Sequence, residues 1–119
     1  MTQRRRRETG RRYEGLAADY FRQHSFEILE QNWQASHKEI DLIVRKGDLI
    51  IFVEVKSSST PGFGHPAEWV DKRKMSNLSE AARRYLVENE ISGCDVRFDV
   101  VTFTNGVLEH YPNAFEADE

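Results

Sequence analysis

KEIDLIVRKGDLIIFVEVK, residues Lys38 to Lys56, decides the fold. Two β-rich runs, Lys38 to Arg45 and Leu49 to Ser57, flank Lys46, Gly47 and Asp48. Glycine takes the positive φ that tight two-residue turns demand, so a Gly-Asp pair between such runs predicts an antiparallel hairpin. Alternation then assigns two faces. Ile40, Leu42 and Val44 share one face with Leu49, Ile51, Val53 and Val55, an apolar side expected to be core. The other face carries Asp41, Ile43 and Arg45 on one strand, and Ile50, Phe52, Glu54 and Lys56 on the next.

With Gly47 and Asp48 at the centre of the turn, Lys46 faces Leu49, Ile43 faces Phe52 and Asp41 faces Glu54. Directly opposed Cβ atoms lie ~5 Å apart, and like charges so placed destabilise a sheet. A divalent cation would compensate, because Mg²⁺ takes one or two carboxylates together with waters and phosphate oxygens. Lys56 projects from the same face as Glu54. Asp, Glu and Lys around one metal meet the needs of phosphodiester hydrolysis: a Lewis acid, a bound water of lowered pKa and a cation for the developing charge. The same three residues also suit an ordinary ion-pair cluster on a half-exposed strand. Their apolar company, Ile43, Ile50 and Phe52, weighs against that second reading, since acids are costly to bury unless paired with a cation.

Upstream of the hairpin, Tyr13, Leu16, Ala17, Tyr20 and Phe21 recur at helical spacing, which predicts an amphipathic helix over Gly10 to His24 and a strand over Phe26 to Trp33. Downstream, Thr60-Pro61-Gly62 and Phe63-Gly64-His65-Pro66 mark an irregular loop from Ser58 to Pro66. Pro66 suits the first turn of a second helix running through Trp69, Val70, Met75, Leu78, Ala81, Ala82, Tyr85 and Leu86 to about Ser92-Gly93. Asn77 with Glu80 offers an alternative start as a capping box. Val96 to Thr104 alternates as a strand, Asn105-Gly106 turns it, and Val107 to Tyr111 returns, before a short acidic tail from Asn113. The order is helix, three strands, helix, two strands: an α/β domain on a mixed sheet.

A chain of 119 residues is the size of one domain. Its one cysteine, Cys94, excludes a disulfide framework and a thiolate metal cluster, and suits a reducing cytoplasm. The longest apolar stretch, Leu49 to Val53, is far short of a membrane span, and no apolar segment follows the basic N-terminus. The net charge of -3 conceals an asymmetry: Met1 to Arg12 carries +5, and the remainder -8. Duplex-binding proteins usually show a broad basic face. Here a nucleic acid would have to be held by the arm arginines Arg4, Arg5, Arg6, Arg7, Arg11 and Arg12, by local basic clusters, or through a metal among carboxylates. Residues 1–12 are expected to form a flexible basic arm, and the alternative to a binding role for it is a solvated, disordered tail of no binding consequence.

Glu39 to Ile43 (Glu-Ile-Asp-Leu-Ile) and Phe52 to Lys56 (Phe-Val-Glu-Val-Lys) together resemble the bipartite PD-(D/E)XK nuclease signature. Glu14 with Ala17, Phe63-Gly64-His65-Pro66-Ala67-Glu68, Arg97-Phe98-Asp99-Val100-Val101 and Pro112-Asn113-Ala114-Phe115 are similar to segments of the YraN-like family. Those are uncharacterised small bacterial proteins related to archaeal Holliday junction resolvases. The resemblance covers nearly the whole chain, and implies a restriction-endonuclease-like mixed sheet flanked by helices over residues 13–119. It implies a Mg²⁺ or Mn²⁺ site built by Asp41, Glu54 and the Val55 backbone carbonyl, with Glu14 supplied by the first helix and Lys56 touching the attacking water. Glu14, Asp41, Glu54 and Lys56 are thus the expected catalytic residues. Lys72 and Lys74, with Arg73 between them, resemble the place where resolvase-like nucleases hold a further basic residue; a solvated helical face is the other reading. Where the family often has Gly before the Glu-Ile-Asp run, this chain has Lys38.

His24, His37, His65 and His110 show no metal-ligand spacing and are expected to be structural or exposed. Trp33, Trp69 and Phe63 are expected in the core in preference to stacking on bases. Asp99 reads as either a supporting acid behind the site or a structural hydrogen-bond acceptor. The expected function is Mg²⁺-dependent endonucleolytic hydrolysis of DNA, on branched or structured forms. The alternative is a non-catalytic nucleic-acid-binding or scaffold module that keeps the fold. A homodimer, which paired cuts would require, and a further protein partner both stay open.

Overall fold

Glycine 47, at φ 59°, turns β2 (Lys38–Lys46) into β3 (Leu49–Ser58), and the pairs Lys46↔Leu49, Ile43↔Phe52 and Leu42↔Val53 keep the register that the turn dictates. The structure is a computed structural model and describes residues 3–58 and 71–116, with side chains for residues 10–57 and 71–116. Helix α1 (Gln3–Gln23) leads into β1 (Glu27–Ala35), which pairs antiparallel with β2. After β3, helix α2 (Lys72–Glu88) crosses over to β4 (Asp95–Thr104), parallel to β3, and β5 (Val107–Phe115) closes the mixed sheet in the order β1-β2-β3-β4-β5. A parallel neighbour needs such a crossover, because a tight turn can only reverse the chain. No helix among the described residues is long and apolar enough to cross a membrane.

Both faces of the sheet are covered. Ala17, Ala18 and Phe21 of α1 pack on Leu42, Val44, Ile51, Val53, Val101 and Phe103. Leu78, Ala81, Ala82 and Tyr85 of α2 pack on Ile43, Ile50, Phe52, Phe98 and Val100. This explains why the second face of the hairpin is apolar as well: it lies under a helix, as central strands of an α/β sheet do. Trp33 meets Tyr85 edge to face at 5.2 Å within that second cluster, a packing role. Ile40 departs from the expected face. It joins the α2 cluster and not the one holding Leu42 and Val44. Strict alternation breaks there because β2 pairs with β3 only from Leu42 onward, and because β1 presents Asn32 at φ 56° between the pairs Gln31↔Leu42 and Trp33↔Ile40.

Element ends differ from the sequence reading for local reasons. Helix α1 starts at Gln3 instead of Gly10, so the arginine run forms its first turns; arginine is a good helix former, and the helix tolerates Gly10. Helix α2 starts at Lys72, with Asp71 accepting a hydrogen bond from the Lys74 backbone N–H at 2.8 Å. Asp71 was hidden in a charge-rich run, and Asn77 is an ordinary exposed residue inside the helix. The helix ends early because Asn89 caps Tyr85 and Glu90 turns to φ 54°. The Asn105-Gly106 pair, at φ 50° and 81°, has the two left-handed residues of a tight hairpin turn. Phe63, His65, Pro66 and Trp69 lie outside the described residues.

Candidate active site at the parting of two strands

The β2–β3 ladder stops at Leu42↔Val53, yet β2 stays paired to β1 down to Lys38 and β3 to β4 up to Ser58. Two central strands therefore part where Asp41 and Glu54 stand. The Asp41 side chain bridges the opening: its Oδ2 accepts the Val55 backbone N–H at 2.8 Å, so that donor is satisfied by a carboxylate in place of a strand carbonyl. The expected opposition of Asp41 and Glu54 thus places both at the mouth of a split sheet and not within a continuous ladder.

Electrostatics at this spot are unbalanced. Burial pushes the Asp41 carboxyl up to about 8; Glu54 adds to the shift, the Val55 N–H opposes it, and Glu14 and Glu39 push it further up. Among the described residues no basic side chain forms an ion pair with Asp41. Glu14, half-buried on α1, is also raised, first by burial and then by Glu39 and Glu54, with Arg11 pulling it back. Glu54 is only 6% exposed; its Oε1 lies 3.5 Å from both Lys56 Nζ and Lys74 Nζ, while its Oε2 is buried with no partner among the described residues. Lys74 comes from the first turn of α2, and Lys38 pairs with Glu80 of the same helix at 2.9 Å.

The structure therefore brings Glu14, Asp41, Glu54, Lys56 and Lys74 into one electrostatic neighbourhood. Lys72 and Arg73 are exposed, and Arg11 and Arg12 lie on the exposed surface of α1. Two contributors escaped the sequence reading. Glu39 stands two residues before Asp41, the strand spacing of a shared face, and that spacing was the available signal. Asn32, on the neighbouring strand, carried no local signal at all.

An oxygen-only donor set suits a hard divalent cation. Among the described residues no three His, Cys, Asp or Glu side chains form a metal cage. A cation here would take Asp41 and Glu54 and complete its shell with waters and substrate, the habit of Mg²⁺. The orphaned Glu54 Oε2 and the raised Asp41 carboxyl both fit such an ion.

Asp99 is placed differently. It is fully buried and accepts from Arg97 Nε and Nη2 at 2.8 and 2.9 Å, from His110 Nε2 at 2.6 Å and from the Asn113 N–H at 2.9 Å. Burial works against its charge, but the bonds from His110, Arg97 and Asn113 outweigh it and hold the carboxyl below its usual range. His110 Nδ1 then lies 2.9 Å from the Tyr20 hydroxyl of α1. Asp99 is a structural acceptor, and His110 is structural too. His24 bonds the Tyr20 carbonyl, and His37 is exposed.

The sequence model described as "Uncharacterised protein family UPF0102" matches residues 13–103. Proteins of that designation include one from Persephonella marina, 36% identical over 92% of this chain and 94% of its own length. Another, from Syntrophomonas wolfei, is 40% identical over 92% of this chain and 98% of its own. A third, from Acetivibrio thermocellus, is 42% identical over 81% of this chain and 75% of its own.

Proposed function

The chain belongs to the uncharacterised protein family UPF0102, the YraN-like family its sequence resembles, and from that premise we propose that it is a Mg²⁺- or Mn²⁺-dependent endonuclease hydrolysing DNA phosphodiester bonds, on branched or structured DNA in the cytoplasm. One observation carries the reading: two carboxyl groups are held together at the parting of β2 and β3, one driven toward its protonated form and the other left with a buried, unpartnered oxygen. A folded chain has no structural use for such a pair, which costs stability until a cation neutralises it.

Asp41 and Glu54 would hold the ion, with the Val55 carbonyl as a third ligand by resemblance. The bound cation supplies phosphate polarisation and a water of lowered pKa. Asp41 must release its proton for this, and its bond from the Val55 N–H keeps the carboxyl in place as it does so. Lys56 is released from Glu54 to face the charge developing on phosphate, while Lys74 holds the Glu54 carboxylate in place from α2. Glu14 faces the pair from α1. Paired cuts at a junction would require a two-fold dimer.

The test is a panel of labelled DNA forms (duplex, single strand, flap, four-way junction) with Mg²⁺ or Mn²⁺ and with chelator. Cleavage of any form that chelator abolishes supports the reading, and retention of every form intact sinks it. A second reading, a non-catalytic nucleic-acid-binding or scaffold module, is favoured by the two lysines that already bracket Glu54 Oε1. It expects DNA binding without cleavage.

A further inference from the structure

Beside the acid pair, on the β1 side, a cleft of about 250 Å³ is lined by Arg11, Glu14, Gly15, Gln31 and Asn32. Asn32 stands between Gln31↔Leu42 and Trp33↔Ile40, which places it across from Asp41 in the β1–β2 ladder. Glu14 belongs to both places: it lines the cleft, and its charge acts on Asp41. The cleft and the acid pair are thus adjoining parts of one surface.

Four features of the cleft suit a ligand. Asn32 Oδ1 is buried with no hydrogen-bond partner among the described residues, and a buried acceptor left unpaired is costly. Its backbone at φ 56° is the left-handed conformation that Asn tolerates and most residues do not. Gly15 sits within α1, where a Cβ would meet nothing within 4 Å, so its missing side chain leaves the helical wall open. Glycine inside a helix is otherwise a loss of stability. Arg11, exposed one turn before Gly15, adds a cation at the rim.

We propose that this cleft is a nucleotide subsite, in which Arg11 engages a phosphate and the Asn32 side chain turns its Oδ1 out of its shielded position to accept an N–H from the Watson–Crick edge of an unpaired base. All four DNA bases carry such an N–H on that edge, so the contact selects for an unpaired base and not for one base identity. The volume is of the size of a single base and sugar. Among the described residues no aromatic side chain lines the cleft, so recognition by them is through hydrogen bonds instead of stacking. The inference rests on the nuclease reading for its biological sense, because it places an unpaired nucleotide next to the phosphate that would be cut. It makes structured or single-stranded DNA the preferred class over continuous duplex.

The test is nuclear magnetic resonance with ¹⁵N-labelled protein in chelator, where nothing is cut. The probes are dCMP, inorganic phosphate, a short single-stranded oligonucleotide and a blunt duplex. The expected result is that dCMP and the single strand move the Asn32 and Gln31 side-chain amides and Arg11 Nε, and that duplex does so far less. Asn32→Gly, which keeps the φ, should weaken dCMP about three- to tenfold, the range of one hydrogen bond. Arg11→Gln should weaken it about tenfold, and Gly15→Leu should block it. If inorganic phosphate alone reproduces the dCMP shifts, or if duplex binds as well as single strand, the base contact is overturned. Absence of shifts at these residues in wild type overturns it without recourse to any variant. The cleavage panel is a separate result. Metal-dependent cleavage with Asn32→Gly and Arg11→Gln kinetics unchanged removes the subsite and leaves the nuclease. Nucleotide shifts in a protein that cuts no DNA form keep the subsite and remove the nuclease.

Discussion

Asp99 and Asp41 are both aspartates drawn into the sheet, and their surroundings are opposites. Asp99 meets a guanidinium, an imidazole and a backbone N–H, and its charge is held. Asp41 meets one backbone N–H and three acids, and its charge is resisted. A chain selected for stability alone would make every buried acid like Asp99. The contrast teaches that α1 clasped to β4 and β5 is scaffold, while the opening between β2 and β3 trades stability for something else.

The sharpest way to break this contrast is to remove the scaffold acid. Asp99→Ala leaves Arg97 and His110 without their shared partner, and is expected to cost about 3 to 5 kcal/mol in urea unfolding, the range for breaking a buried charged pair. A cost below about 1 kcal/mol would make the network ornamental. Next in size is Lys56→Ala. It should reduce hydrolysis about 100- to 1,000-fold while DNA binding stays within a few-fold, because its charge is needed chiefly in the transition state. Equal loss of both would turn Lys56 into a phosphate anchor.

pH separates the two acids by sign. Asp41 folds with its pKa raised from 3.8 to about 8, so the folded chain holds an extra proton between those values. Stability of the chelator-treated protein should therefore fall as pH rises through about 4 to 8, and this slope should be shallower in Asp41→Asn. Asp99, with its pKa lowered, contributes stability above its unfolded pKa and loses it as pH falls through the lower folded value. Urea melts of wild type and Asp41→Asn across that range measure the first, and melts of wild type carried below the ordinary aspartate range measure the second. The smallest effect is thermal: Asp41→Asn in chelator should raise the melting temperature by a few degrees, since ~1 kcal/mol shifts a domain of this size by roughly 3 to 6 °C. Asn can still accept the Val55 N–H. The variant should lack the Mg²⁺ or Mn²⁺ stabilisation expected of wild type. A lower melting point in chelator, with a wild type indifferent to both ions, would remove the metal site and leave the nuclease reading on resemblance alone.

The hairpin was legible because its determinants are local: Gly47-Asp48 sets the turn, and alternation sets the register through Leu42↔Val53. Element order followed from periodicity, and the register brought Asp41 and Glu54 to one place, although the ladder ends one pair short of them. What could not be read depends on residues far apart in sequence. Lys74 reaches Glu54 across a crossover, Asn32 adjoins Asp41 from the next strand, and Ile40 changes clusters because two strands diverge. The start of α2 was missed for a different reason, since Asp71 before Lys72, Arg73 and Lys74 reads as one more charge in a charged run.

The hydrogen bond from Tyr20 to His110 joins residues 90 positions apart, and so clips the first helix to the last strand. During synthesis this has a consequence in time. The β2–β3 hairpin can form as soon as its own residues emerge, whereas β3 must wait for β4 to arrive through α2, and α1 for its clip until β5 follows. The acids at the strand opening are thus assembled first and the lock that steadies their scaffold last. A nascent or C-terminally truncated chain would carry the site on a loosely held frame.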